Sequence, residues 1–297
     1  MAPIKFGTDG WRAIIAKDFT FANCRAVTQG IASYINCNNL GKKGIVIGCD
    51  NRFMAEQFAQ ECARVMAGNG IKVILLKKAG PTPVTAFTVW EKETSGAIMI
   101  TASHNPYYYS GIKFIPEYAG PALPDITDVI EKEVNRVLSE GKVYELDLAE
   151  AVKLGLYEEC EIEREYRSHL LKLIKGEYFG QKSLKVVVNP MFGAGIGYLD
   201  QILAELGCEV RAINNYRDAF FGGNLPEPTA GNLGDLRRAV LAYEADLGLA
   251  LDGDADRFGI IDRNGEFINA NRFMSLLLDH LIKTRSFRGP VCRSLAT

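Results

Sequence analysis

The sequence has little that would tie it to a bilayer, a nucleic acid or an oxidising compartment. No apolar run approaches the ~18 residues a membrane span requires; stretches such as Val73–Leu76 and Leu276–Leu278 are core-sized. The opening Met1-Ala-Pro-Ile-Lys-Phe-Gly7 has no apolar segment of the kind that marks secretion, so no export signal is expected. Lys and Arg number 34 against 36 Asp and Glu, and the net charge of −2 comes without a basic block. A nucleic-acid footprint is therefore not expected. Seven cysteines (Cys24, Cys37, Cys49, Cys62, Cys160, Cys208 and Cys292) are an odd number with no Cys-x-x-Cys pair, and there are only three histidines. That excludes a disulfide framework and argues against a zinc site. The thiols read as small buried hydrophobes in a reducing compartment, most simply the cytoplasm.

What is present is globular. Hydrophobic residues are 47% and charged residues 24% of 297, which excludes a disordered or collagen-like chain. At roughly 150 residues per domain the length suggests two domains and a remnant. Short β-rich runs alternate with longer helical patterns, as in βαβ units on a parallel sheet. Gly44–Asp50, Ile71–Lys77 and Gly96–Ile100 are expected strands, separated by helices over about 55–67 and 84–92. The second half repeats the plan: strands at Lys185–Asn189, Cys208–Ile213 and Leu247–Leu251, with helices over about 193–206 and 233–243. The offset is about 140–150 positions, and the repeat is one of architecture rather than of sequence. Between the halves, Asp125–Glu165 reads as charged and helical. Asp262-Arg-Asn-Gly265 reads as a hairpin turn, 272–282 as a helix and Pro290–Ala296 as a strand opening a third unit. The expected fold class is thus α/β: two consecutive mixed, mainly parallel α/β/α sandwich domains (1–155 and 156–265) plus the start of a third (266–297).

In open α/β sheets ligands sit beyond the carboxyl ends of the strands. Two loops occupy equivalent positions there, Thr101-Ala-Ser-His-Asn-Pro106 and Asp252-Gly-Asp-Ala-Asp-Arg257. Asp252, Asp254 and Asp256, at i, i+2 and i+4, offer hard oxygens to one side of an extended loop, which suits Mg²⁺ or Mn²⁺. A calcium loop would need Gly at the sixth position and Glu at the twelfth, where Arg257 and Arg263 stand. An aspartyl phosphatase also places Asp-x-Asp after a strand, so Asp252 as nucleophile stays open, as does a solvated acidic turn. Ser103 sits beside His104 at a strand end without the Gly-x-Ser-x-Gly of a hydrolase elbow; a Ser/Thr/Asn turn is the plain alternative. Lys113 adds a base or a cation, and Arg12 in Phe6-Gly-Thr-Asp-Gly-Trp-Arg12 can bind phosphate through its fork. Gly193-x-Gly195-x-Gly197 lacks the last glycine of a dinucleotide fingerprint, Tyr198 standing in its place, and the following strand ends in Asn214-Asn215 rather than an acid. NAD is rejected. His169 and His280 read as structural.

Phe6–Arg12, Thr101–Pro106, Gly111-Ile-Lys113 and Asp252–Arg257 occur in the order found in the α-D-phosphohexomutase superfamily, and the chain resembles its phosphoglucomutase/phosphomannomutase branch. The Thr-Ala-Ser opening is similar to that branch, whereas phosphoglucosamine mutases usually have Ser-Ala-Ser. Tyr107-Tyr-Tyr-Ser110 departs from the more usual Pro-x-x-Asn. The resemblance implies that Ser103 carries a phosphate, that Ser103, Asp252, Asp254 and Asp256 hold one Mg²⁺, and that Arg12, Lys113 and His104 serve proton transfer and charge stabilisation. Arg257, Arg12 and Lys113 would contact a hexose phosphate, glucose or mannose, with a hexose 1,6-bisphosphate as intermediate and activator. A phosphoserine of up to about −2 with three carboxylates totals about −5, which one Mg²⁺ and the cations Arg12, Lys113 and Arg257 bring to about zero. The family's sugar loop and second phosphate clamp lie in third and fourth domains, so little turnover is expected of these 297 residues alone. No feature of the sequence speaks to oligomeric state.

Overall fold

The computed structural model describes residues 3–7, 10–174 and 183–292. In chain order the elements are β1 (Gly10–Ile14), α1 (Phe21–Cys37), β2 (Ile45–Cys49), α2 (Ala55–Gly68), β3 (Val73–Leu76), α3 (Thr82–Lys92), β4 (Gly96–Ile100), β5 (Tyr109–Pro116), α4 (Pro124–Glu140), α5 (Leu148–Lys153), β6 (Tyr157–Cys160) and α6 (Glu163–Leu173). There follow β7 (Lys185–Asn189), α7 (Leu199–Glu205), β8 (Glu209–Ala212), α8 (Gly234–Tyr243), β9 (Leu247–Leu251), β10 (Phe258–Asp262), β11 (Phe267–Ile268) and α9 (Ala270–Arg285).

They form two mixed sheets, ordered β1-β5-β4-β2-β3-β6 and β11-β10-β9-β7-β8. In each, a parallel core (β4-β2-β3 and β9-β7-β8) continues into an antiparallel neighbour, β5 or β10. The architectural repeat is thus reproduced in five strands of each sheet, while β6 at the edge of the first has no counterpart in the second. The central strands are apolar throughout because both faces are covered. Ile45, Ile47, Val73, Leu75, Ile98 and Ile100 point into a core shared with α1, α2 and α4. Their alternates Val46, Ile74, Leu76, Ala97 and Met99 pack with Val84 and Val89 of α3 on the other face. In the second sheet Leu236 and Val240 of α8 cover Val187, Ala250 and Ile261.

Four expectations are corrected. The helix expected from residue 193 begins at Leu199, because Gly193–Tyr198 is a run of turns bonded to the second acidic loop: Ala194 N–H donates to the Gly253 carbonyl at 2.9 Å. The charged stretch 125–165 is not helical throughout. Its Tyr157-Glu-Glu-Cys160 is the edge strand β6, paired with β3, so the first sheet extends past the boundary expected at 155. An edge strand with a charged solvent face carries no apolar alternation to betray it. Residues 290–292 form no strand, and 293–296 lie outside the described residues. Of the seven thiols only Cys24, Cys49 and Cys62 are buried; none of the seven is disulfide-bonded. No helix among the described residues is long and apolar enough to cross a membrane.

Candidate active site

The loops after β4 and β9 meet. β4 and β9 are corresponding strands of the two sheets, and the sheets are docked with these carboxyl ends facing each other. The Ser103 hydroxyl donates to Asp252 Oδ2 at 2.9 Å across the seam. The approach needs a residue without a side chain: a Cβ on Gly253 would lie 2.5 Å from the Ser103 carbonyl oxygen. Further seam contacts hold the juxtaposition. Asn51 Nδ2 donates to the Gly193 carbonyl at 2.7 Å, and Arg217 is paired with Glu56.

The acidic loop is organised inward. Asp252 and Asp254 have no exposed surface. Asp252 Oδ1 accepts the backbone N–H groups of Asp256 and Arg257, both at 2.9 Å. Asp254 Oδ2 accepts from Thr82 Oγ1 at 2.7 Å and from Lys113 Nζ at 2.8 Å, and Lys113 also reaches Asp256 Oδ2 at 3.0 Å. Burial, with Asp254 and Asp256 as neighbours, pushes the Asp252 carboxyl above the usual carboxylate range. Asp254 is buried as well, but the Lys113 ammonium and the hydrogen bonds from Lys113 and Thr82 outweigh that and hold it below the range.

Three carboxylates this close are costly without more positive charge than one lysine supplies. One oxygen of each lies within 4.8 Å of the others, and Asp254 Oδ1 is buried with no hydrogen-bond partner. An orphaned carboxylate oxygen in an all-oxygen set fits a hard divalent cation such as Mg²⁺. Among the described residues no other such cluster of potential ligands occurs.

A cleft of about 700 Å³ opens over this cluster, lined by Gly10, Arg12, Ser103, Lys113, Asp256 and Arg257, among others. The structure therefore brings together the residues that sequence singled out. Arg12 Nη1 donates to Asn105 Oδ1 at 3.0 Å, and the half-exposed Arg257 lies 3.8 Å from Glu227 and 3.9 Å from Asp256. His104 Nδ1 stands 3.4 Å from Ser103 Oγ. Partial burial and the nearby Arg257 and Arg12 guanidiniums push its imidazole below the usual value. Lys113 is buried in ion pairs rather than solvated, on a strand (β5) that sequence reading did not identify. Thr8 and Asp9 of the opening motif lie outside the described residues.

Sequence reasoning missed Thr82 and the pair Asp50 and Arg52. A carboxylate ending an all-apolar strand was the available signal for Asp50. His169 packs against Phe87 and Trp90 and lies away from the site.

Comparison with known proteins gives a consistent picture. Residues 3–140 match the phosphoglucomutase/phosphomannomutase alpha/beta/alpha domain I and residues 164–265 match domain II. A Methanosphaera stadtmanae protein called a probable phosphoglucosamine mutase is 33% identical over 282 residues, 93% of this chain and 58% of that protein. A phosphoglucomutase of Staphylococcus saprophyticus is 30% identical over 290 residues, 93% of this chain and 52% of the relative. A solved structure from Thermus thermophilus, provisionally assigned as a phosphomannomutase, is 32% identical with a TM-score of 0.85, covering 95% of this chain and 62% of that one. The chain thus spans little more than half the length of the curated relatives it matches.

Proposed function

The chain belongs to the phosphoglucomutase/phosphomannomutase family, and on that premise we propose that it is a phosphohexomutase interconverting hexose 1-phosphate and hexose 6-phosphate through a phosphoserine at Ser103. The P–O bond of the phosphoserine breaks as a sugar hydroxyl oxygen bonds to phosphorus, and the hydroxyl proton leaves to a base. The resulting bisphosphate turns round and returns its other phosphoryl group to Ser103, which leaves the isomeric monophosphate. Asp252, Asp254, Asp256 and an oxygen on Ser103 would hold Mg²⁺, which supplies positive charge where the transferred group becomes more anionic.

The residues divide the remaining work. Lys113 pairs with both Asp254 and Asp256 and offsets part of their charge. Arg12 and Arg257, on the walls of the cleft, supply donors matched to phosphate oxygens. His104, whose imidazole partial burial and the nearby guanidiniums hold below its usual pKa, stands beside Ser103 as a candidate to accept the proton. Phosphoryl transfer needs mainly positioning and charge stabilisation, and this set is suited to both. Glucose and mannose phosphates are the first substrates to test, and the relatives' names add glucosamine phosphate.

The observation that carries the reading is the Ser103–Asp252 contact at 2.9 Å with Asp254 Oδ1 buried beside it. An aspartyl phosphatase is disfavoured because both Asp252 oxygens are already occupied, one by two amides and the other by the serine hydroxyl. The test is to incubate the chain with glucose 1,6-bisphosphate and Mg²⁺ and to locate the phosphoryl group by mass spectrometry. Acid-stable phosphate on Ser103, absent from Ser103→Ala, is expected. Phosphate on Asp252, or release of inorganic phosphate that survives Ser103→Ala, would overturn it.

A further inference from the structure

Asp50-Asn51-Arg52 follows β2 directly, and the Asp50–Arg52 pair takes no part in the chemistry above. Neither side chain has any exposed surface. A guanidinium carries five N–H donors, and here each finds an oxygen. Nε donates to Asp50 Oδ2 at 3.2 Å. Nη1 donates to the carbonyls of Pro106 and Tyr109 at 2.9 and 3.0 Å, and Nη2 to those of Ser103 and Asn105 at 2.6 and 2.7 Å. Four of the five donors therefore end on the main chain of one loop, Ser103–Tyr109.

Asp50 holds the same loop from its other side. Its Oδ2 accepts from Thr101 Oγ1 at 2.6 Å, and Thr101 Oγ1 accepts the Ser103 N–H at 2.8 Å. Both polar groups of the Ser103 backbone are thus tied to the Asp50–Arg52 pair, one directly and one through a hydroxyl. Ser103 itself has φ of 50°, in a region a residue with a side chain keeps only when its surroundings hold it there. The second lobe closes the arrangement: the Phe221 ring centre lies 4.9 Å from the Arg52 guanidinium carbon.

A buried ion pair contributes little to stability compared with apolar residues of the same volume, and this one bonds to a loop rather than bridging core elements. The geometry points to Arg52 as a positioning residue for the serine: it holds Ser103–Tyr109 in the one conformation that presents Ser103 Oγ to the acidic cluster, and Phe221 makes that hold depend on the docked second lobe. The inference rests on reading Ser103 as the phosphate carrier. A misplacement of about 1 Å costs on the order of 100-fold in rate, so the effect should be large.

Two variants of the full chain test it. Arg52→Lys keeps the charge opposite Asp50 but lacks the planar fork; Thr101→Val removes the hydroxyl that links Asp50 to the Ser103 amide. Amide hydrogen exchange read by mass spectrometry reports loop order without reference to activity. Intact mass reports the rate at which glucose 1,6-bisphosphate phosphorylates Ser103. The expected result is faster exchange confined to peptides covering 101–110, with β2 and α2 still protected. Phosphorylation should slow about 100-fold, while the bisphosphate concentration giving half the maximal rate stays nearly constant. Unchanged loop exchange in a folded Arg52→Lys would overturn the inference. So would global loss of protection in both variants, since Arg52 would then be holding the fold rather than the loop. If the unmodified chain takes no phosphate on Ser103, the functional reading fails while the exchange experiment still decides the clamp.

Discussion

Lys113 offers the sharpest perturbation. The residue is only 4% exposed, and its ammonium lies 2.8 Å from Asp254 and 3.0 Å from Asp256. Replacing it with methionine keeps most of the aliphatic volume and removes the lysine that two of the three carboxylates share. Stripping one partner from a buried pair costs about 3–5 kcal/mol, because the abandoned charge stays desolvated. At ~2–4 °C per kcal/mol for a domain of this size, Lys113→Met should melt about 6–20 °C below the parent chain in EDTA. A divalent cation should then matter more to the variant than to the parent, since it enters a more negative site. Binding at about 100 times the dissociation constant returns about 2.7 kcal/mol, so Mg²⁺ should recover at least about half of the loss. Scanning calorimetry of both proteins with EDTA and with Mg²⁺ reads the four values. Equal melting of the two proteins in EDTA would refute the claim that the cluster needs compensation. A larger Mg²⁺ shift in the parent than in the variant would refute the claim that cation and lysine serve the same carboxylates.

Further outcomes follow from the same geometry. Because burial and its neighbours raise the Asp252 pKa, the proton stays on that carboxyl above the ordinary carboxylate range and competes with a metal. Mg²⁺ affinity should therefore rise with pH and binding should release a proton near neutrality; calorimetry in two buffers of different ionisation heat would expose the error if none is released. Gly253→Ala would place a methyl group 2.5 Å from the Ser103 carbonyl and force the two loops apart, so Ser103 phosphorylation should drop at least about tenfold; a rate equal to the parent's would contradict the close approach. Asn51→Ala removes the donor to the Gly193 carbonyl, and an unsatisfied buried group costs about 1–3 kcal/mol. A denaturant midpoint that does not move would show that water replaces the bond.

Much of the fold was readable in the chain because the central strands are covered on both faces. Ile45–Cys49, Gly96–Ile100 and Leu247–Leu251 are continuous apolar runs between glycines and turns, and such runs have few other stable destinations. The edges were less readable. β6 presents Glu158 and Glu159 to solvent, and α7 begins late because Gly193–Tyr198 is committed to the neighbouring loop. Neither fact is local. The acidic triad announced itself by spacing, since three carboxylates beside an apolar strand invite a cation. Thr82 and Arg52 announced nothing, because a threonine at a helix start and an arginine after a strand are ordinary residues until their partners are known.

Local sequence determined the strands, the helices between them, the two loops at the strand ends and the ligand chemistry each loop can offer, because periodicity and side-chain type act over a few residues. Tertiary structure alone decided that Ser103 would stand 2.9 Å from Asp252, 149 residues away in the chain. That meeting depends on how two sheets dock, on a glycine thin enough to let backbones touch, and on a buried guanidinium whose bonds are all made by folding. Those are properties of packed surfaces, which have no expression in a chain until it closes on itself.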